Sequence, residues 1–305
     1  MVVRTLPQPR PAKTGAPSPM AVLELLKPIT WFPPMWAYAC GMVASGADLF
    51  ARWPYLMGGV LLAGPLICGT SQAVNDWYDR HVDAINEPDR VIPSGRMPGR
   101  WGLWVAIAGS LISLALAWVL GLWVFWAAVV GLFFAWAYSM PPMRLKQDGW
   151  QGNAAVGLSY ETLPWLTAVA AAVDGLPDPR IALIALLYGI GAHGIMTLND
   201  FKAIEGDRQM GIRSLPARYG PERAARIACV IMAAAQIAVI AALIVWDRPI
   251  HAGLIGALTL AQLACMTRFL KDPIGRAVWY SAIGVGLYVS GMMIAAVGLR
   301  GLTGA

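Results

Sequence analysis

Nine apolar runs constrain this chain most, near residues 30–47, 55–75, 101–119, 121–138, 152–173, 181–199, 224–246, 249–269 and 275–298. A bilayer span takes about 20 mainly apolar residues. Backbone in lipid must satisfy its own polar groups, which a helix does and an open strand does not. Charged residues make up only 13% of the 305 positions, against about 25% in a soluble domain. The expectation is an all-α integral membrane protein of about nine transmembrane helices around a central cavity. It forms one domain over 21–305, with no water-soluble domain. The pair 101–138 is the tightest case, since only Gly121 and its neighbours offer a turn.

Residues 1–20, "MVVRTLPQPRPAKTGAPSPM", hold five prolines and no apolar stretch. They read as a disordered cytoplasmic tail rather than a signal peptide. With the N-terminus inside, only Arg52, Arg180, Arg248 and Arg300 of the 23 basic residues fall outside, as the positive-inside rule requires. Topology therefore explains the net charge of +6, and no nucleic-acid partner is needed. Cys40, Cys68, Cys229 and Cys265 lie in apolar runs without metal or pairing spacing, and read as packing residues.

Charge enters at two places. "NDWYDRHVDAINEPDRVIPSGR" (75–96) brings Asp76, Asp79, Asp83, Glu87 and Asp89 to the end of an apolar run. "NDFKAIEGDRQMGIRSLPAR" (199–218) matches it at an offset of 124: Asn75 with Asn199, Asp76 with Asp200, Asp83 with Asp207. Arg90 and Pro93 follow in one copy, Arg213 and Pro216 in the other. The pair is an internal repeat, and both acidic motifs are expected on the cytoplasmic side. Asn75, Asp79 and Asp83 are spaced i, i+4, i+8, which lines them on one helical face. Asn199 and Asp207 have the same spacing.

Two facing carboxylate rows repel unless cations stand between them. Oxygen donors without Cys or His suit Mg²⁺, which commonly shares a substrate phosphate. The basic residues Arg90, Arg96, Arg144, Lys146, Lys202, Arg208 and Arg213 suit the phosphate oxygens that the metals leave over. A solvated polar cap is the plain alternative for either stretch alone; two matched copies on one face favour a site.

A metal–diphosphate site at the mouth of a lipid-embedded bundle points to ionisation of an allylic prenyl diphosphate. Cations stabilise the leaving group, apolar helices exclude water, and aromatic faces stabilise the cation. Tyr138, Tyr160, Trp136 and Trp165 are candidates for that last role. Glu161 lies inside an apolar run, where a carboxylate costs roughly 2.5–3.5 kcal/mol on insertion scales, so it is expected to line the cavity. His193 is either a packing histidine or a ligand. A transporter would place its charges near mid-bilayer; here only Glu161 does so. A pigment scaffold would not need two acidic rows.

These residues resemble the UbiA superfamily of intramembrane prenyltransferases, whose first signature N-x-x-x-D-x-x-x-D reads here Asn75, Asp79, Asp83. "KPITWFPPMWAYACG" (27–41), "YSMPPMRLKQDGWQGN" (138–153) and the run Asn199, Asp200, Phe201, Lys202, Glu205, Gly206, Asp207 look like the chlorophyll and bacteriochlorophyll synthase branch. The resemblance implies that a (bacterio)chlorophyllide propionate attacks geranylgeranyl or phytyl diphosphate. Two Mg²⁺ would be held by Asn75, Asp76, Asp79, Asp83, Asn199, Asp200, Glu205 and Asp207. Lys27, Arg90, Arg144, Lys146, Lys202, Arg208 and Arg213 would bind diphosphate, with Asp79, Asp83, Asp207 and Lys202 catalytic. Tyr138, Tyr160, Glu161, Trp165 and His193 would line the substrate cavity. The resemblance further implies a photosynthetic bacterial cytoplasmic membrane, contact with the lipid bilayer, and hand-over to pigment–protein assembly partners. The second motif departs from the family's D-x-x-x-D-x-x-x-D, with Ala203 or Ile204 at its middle position.

Overall fold

The structure, a computed structural model, describes residues 15–300 and Leu302, apart from the Asn86 side chain. Most of the tail expected over 1–20 lies outside the described residues; helix α1, Pro19–Leu26, begins at its end. The described residues are helical, without strands beyond an isolated bridge between Asp148 and Arg213.

α2 (Phe32–Ala44) is followed by a long rod built from α3 (Trp53–Leu61), a π-helical turn (Leu62–Cys68) and α4 (Gly69–Asn86). Pro65 explains the turn, because its ring lacks a donor and crowds the carbonyl four residues back, so the ladder widens. α5 (Trp101–Leu120) and α6 (Leu122–Ala137) meet at Gly121, whose φ of 130° makes the tight reversal possible. A second interrupted rod joins α7 (Gly149–Gly157) and α8 (Leu163–Val173) through a π turn at Leu158–Thr162, just before Pro164. α9 (Pro179–Asp200), α10 (Ile204–Gln209), α11 (Leu215–Tyr219), α12 (Pro221–Val245), α13 (Pro249–Phe269) and α14 (Pro273–Arg300) complete the chain. Proline opens α9, α12, α13 and α14, where its missing N–H is an unpaired helix-start donor anyway.

Six helices of the described residues are long and apolar enough to cross a membrane: Trp53–Ile85, Trp101–Leu120, Pro179–Asp200, Pro221–Val245, Pro249–Phe269 and Pro273–Arg300. Leu122–Ala137 is apolar but shorter. The runs at 30–47 and 152–173 become the 13-residue α2 and the interrupted α7–α8 rod. Large apolar side chains such as Trp118, Trp126, Val230, Ile244 and Val278 face outward, as lipid allows and water does not.

One core joins α2 and α8 to α9, α12, α13 and α14. Another packs α1, Val91 and Met97 against α4 and α5, and so fixes the loop after the first acidic stretch. α7 and α9 approach through glycine: a Cβ on Gly157 would stand 2.3 Å from the Gly189 carbonyl oxygen. Gly157→Ala is therefore expected to destabilise by about 1–3 kcal/mol, read as a lower thermal midpoint in detergent. An unchanged midpoint would show that the rods can part freely.

Candidate active site

The first acidic row rides on an unbroken helix, so its side chains keep the expected register. Asn75 Nδ2 donates to Asp79 Oδ2 at 3.2 Å and to Ser139 Oγ at 3.1 Å. Each carboxylate also meets bases from loops. Asp79 pairs with Arg144 at 3.4 Å and with Lys146. Asp83 accepts from Arg90 at 2.9 Å, while the same guanidinium forks onto Glu87 at 2.6 and 2.9 Å. Asp76, beside the line, is the most buried of the row at 2% exposed, and accepts from Lys27 at 2.6 Å and Arg90 at 3.4 Å.

The loops aim these bases deliberately. Lys27 and Arg144 sit at φ 48° and 37°, a left-handed backbone that costs a non-glycine residue of order 1–3 kcal/mol and clusters at functional sites. Burial holds the Lys146 ammonium below the ordinary lysine value despite the opposing pull of Asp79. Arg90 is also desolvated, but Glu87, Asp83 and Asp76 more than offset this and raise it.

The second row is built differently. α9 stops at Asp200 and the chain turns before α10 restarts at Ile204. That break rotates Asn199 and Asp207 off a common face, correcting the expected i, i+8 line. Asn199 is exposed and reaches only Met196 Sδ, at 3.7 Å, and exposed Glu205 accepts from Gln209 at 3.0 Å. Asp200 and Asp207 are the inward pair, close enough to feel each other's charge. Asp207 is 8% exposed and accepts from Ser214 Oγ at 2.5 Å. Burial pushes its carboxyl above the usual aspartate range, with Ser214 opposing.

Residues 138–149 bring the rows together. Lys146 N donates to Tyr138 O at 3.2 Å, Arg213 N to Gln147 O at 2.9 Å, and Gly149 N to Arg213 O at 2.9 Å. One segment thus delivers Arg144 and Lys146 to Asp79 while its other edge is stitched to the loop after α10. The Tyr138 phenol stands within electrostatic reach of Asp79, Asp200 and Asp207.

Other expected residues lie elsewhere. Lys202 is exposed and makes no ion pair among the described residues. Arg208 donates to Ala217 O at 3.4 Å, Arg213 pairs with Asp148 at 3.4 Å, and Arg96 pairs with Glu24. The helix interruption between Asp200 and Ile204 lies beside Lys202, and local acceptors hold Arg208, Arg213 and Arg96.

Deeper in the bundle, Tyr160 OH accepts from Gln72 Nε2 at 3.1 Å and Cys68 Sγ at 3.3 Å, about one and two turns below Asn75. Glu161 is 4% exposed with Oε2 unpartnered, and His193 is 7% exposed with both ring nitrogens unpartnered under the Trp150 ring. Trp165 is fully buried against Tyr188 in the main core, and Trp136 donates to Ser110; packing occupies both indoles. Sequence reasoning missed Ser139, Ser214, Gln72 and Cys68. Their only signal was polarity next to the acidic motifs or in an apolar run.

No three Asp, Glu, His or Cys side chains of the described residues already stand together as a metal-ligand cluster. The donor set nevertheless fits a hard divalent cation. It is all oxygen, and the Asp200–Asp207 pair has no base within ion-pairing distance among the described residues. The four bases on the first row fit a diphosphate.

The family described as "UbiA prenyltransferase family" matches residues 33–296. The "Bacteriochlorophyll synthase 33 kDa chain" of Cereibacter sphaeroides is 58% identical, over 94% of this chain and 95% of that protein. The chloroplastic chlorophyll synthase of Arabidopsis thaliana is 38% identical, over 90% and 73%. A UbiA homolog from Archaeoglobus fulgidus, solved bound to DMAPP and Mg²⁺, superimposes with a TM-score of 0.69 at 20% identity, covering 91% of this chain and 99% of that one. The chain belongs to the UbiA prenyltransferase family.

Proposed function

We propose that this chain esterifies the propionate of a bacteriochlorophyllide with geranylgeranyl or phytyl diphosphate and releases diphosphate. The observation that carries the reaction class is a carboxylate row backed by Lys27, Arg90, Arg144 and Lys146 at the mouth of an apolar bundle. The acceptor follows from the relatives named bacteriochlorophyll synthase; chlorophyllide is the alternative, favoured by the chlorophyll synthase likeness.

The site works by exchange of partners. Without diphosphate, the four bases neutralise Asp76, Asp79 and Asp83. A bound diphosphate competes for them and frees carboxylate oxygens for cations. Asp79, Asp83, Asp200 and Asp207, with Asn75, are the residues that would hold Mg²⁺, two ions in this reading. When bound, Mg²⁺ supplies Lewis-acid stabilisation of the departing diphosphate. The bases share that charge, and the apolar helices keep water from the allylic carbon. A propionate oxygen then bonds to C1 as the C1–O bond breaks, its electron pair leaving on the diphosphate. The propionate is already ionised at neutral pH, so no general base is required. The rows face the cytoplasm, nine spans cross a bacterial photosynthetic membrane, and the N-terminus is inside. The product passes to pigment–protein assembly partners.

Purified protein given labelled geranylgeranyl diphosphate, Mg²⁺ and bacteriochlorophyllide, chlorophyllide or 4-hydroxybenzoate tests the reading. An esterified tetrapyrrole, lost in EDTA, is expected; turnover of the benzoate alone would overturn the acceptor. Activity unchanged in EDTA would overturn the metal.

Protons compete with metal for Asp207. A carboxyl raised by burial stays protonated at pH values where an ordinary aspartate is ionised, and metal ligands must be deprotonated. The Mg²⁺ concentration for half-maximal rate should therefore fall as pH rises through values at which an ordinary aspartate is already ionised. A half-saturation point independent of pH would contradict this.

A further inference from the structure

The two rows are copies in sequence but not in charge. In the first, Asp83 accepts from Arg90 seven residues on; in the second, Asp207 accepts from Ser214, also seven residues on. Arg90 and Ser214 are equivalent at the same offset of 124 that aligns Asp83 with Asp207. Arg213, the basic residue just before Ser214, turns to Asp148 instead. The second copy has thus exchanged a permanent cation for a neutral hydroxyl.

The consequence extends along each row. Lys27, Arg90, Arg144 and Lys146 compensate Asp76, Asp79 and Asp83. Asp200 and Asp207 feel each other's charge and have no Lys or Arg within ion-pairing distance among the described residues. Lys202 is exposed, and Arg208 and Arg213 are engaged elsewhere. A carboxylate pair with one member buried, one half-buried and no cation beside it is the costlier arrangement, so it gains more from a divalent ion.

We propose that the rows take their cations in order: Asp200 and Asp207 bind a divalent ion on the substrate-free protein, and the Asp79–Asp83 row takes one only after a diphosphate has drawn Arg90, Arg144 and Lys146 off its carboxylates. This rests on the metal–diphosphate reading above and adds a division of labour within it. The second row charges the site; the first row responds to the donor substrate. Binding diphosphate and binding the second ion become one coupled event, so a hydrolysable donor meets a complete ion set only when fully seated.

Mn²⁺ binding to the full chain in detergent, followed by electron paramagnetic resonance, tests the order without turnover. The donor stand-in is the thiolodiphosphate analogue of geranylgeranyl diphosphate, in which a bridging sulfur blocks ionisation. Wild type is expected to bind a single Mn²⁺ without the analogue and a further one with it. Asp207→Asn should weaken the analogue-independent ion at least about tenfold, while Asp79→Asn leaves that ion and loses the analogue-dependent one. Ser214→Arg, which restores the base found in the first copy, should suppress the analogue-independent ion with both carboxylates still present, and Ser214→Ala should retain it. A melting curve for each variant separates misfolding from lost binding, and the Asp79→Asn arm keeps the test intact if Ser214→Arg fails to fold. Mn²⁺ that enters only with the analogue, or an analogue-independent ion lost in Asp79→Asn and kept in Asp207→Asn, would overturn the order. No Mn²⁺ under either condition would instead overturn the metal reading itself.

Discussion

Asp79→Ala is expected to lower kcat/KM by about a hundred- to a thousandfold while the protein still folds and inserts. Asp79 is where the site's connections converge: Asn75, Arg144 and Lys146 all bond to it, and Tyr138 lies within its field. Without it, two bases lose the acceptor that aims them, and the proposed metal site would lose an oxygen ligand. Its side chain is 18% exposed, so the orphaned bases can still reach solvent, and the loss should appear in rate far more than in melting temperature. Asp79→Asn should recover little, because the amide keeps the shape but not the charge. Activity within a few-fold of wild type would remove the first row from the chemistry.

Lys146→Met should produce the next largest loss. A hydrogen bond to a charged group contributes about 1.5–3 kcal/mol, so the fall is roughly ten- to a hundredfold. KM for the prenyl diphosphate should rise together with a drop in kcat, because in the proposed reaction the ammonium would contact both bound and departing diphosphate. Methionine keeps the length of the buried stem and isolates the charge. Lys202→Met is the contrast, since exposed Lys202 should change the rate only a few-fold. Steady-state kinetics on both variants decides the matter. Equal losses would mean that Lys202 moves inward with substrate and that the resting geometry misassigns the bases.

Much of this was legible in the sequence because the decisive signals are local. Long apolar runs marked the helices, and Gly121 marked the reversal between α5 and α6. The i, i+4 spacing of Asn75 and Asp79 survived because α4 runs unbroken to Asn86. The same logic failed at Asn199, because it assumed a helix that ends at Asp200; Asp200 and Asp207 then turn inward, and Asn199 and Glu205 outward. The bases divided on a different principle. Arg90 and Lys146 reach the row because loops fold back onto it, and the backbone pairing of Arg213 with Gln147 and Gly149 has no periodicity to betray it. Ser214 was invisible for a plainer reason: a neutral hydroxyl stands where the repeat leads one to seek a base.

In the proposed reaction the propionate attacks carbon, with the site stabilising a departing diphosphate. Bacteriochlorophyllide carrying oxygen-18 in both propionate oxygens, turned over with unlabelled geranylgeranyl diphosphate and analysed by mass spectrometry, tests it directly. Both labelled oxygens should remain in the ester, and none should appear in the released diphosphate. Label in the diphosphate, with one labelled oxygen missing from the ester, would mean attack at phosphorus and would contradict it.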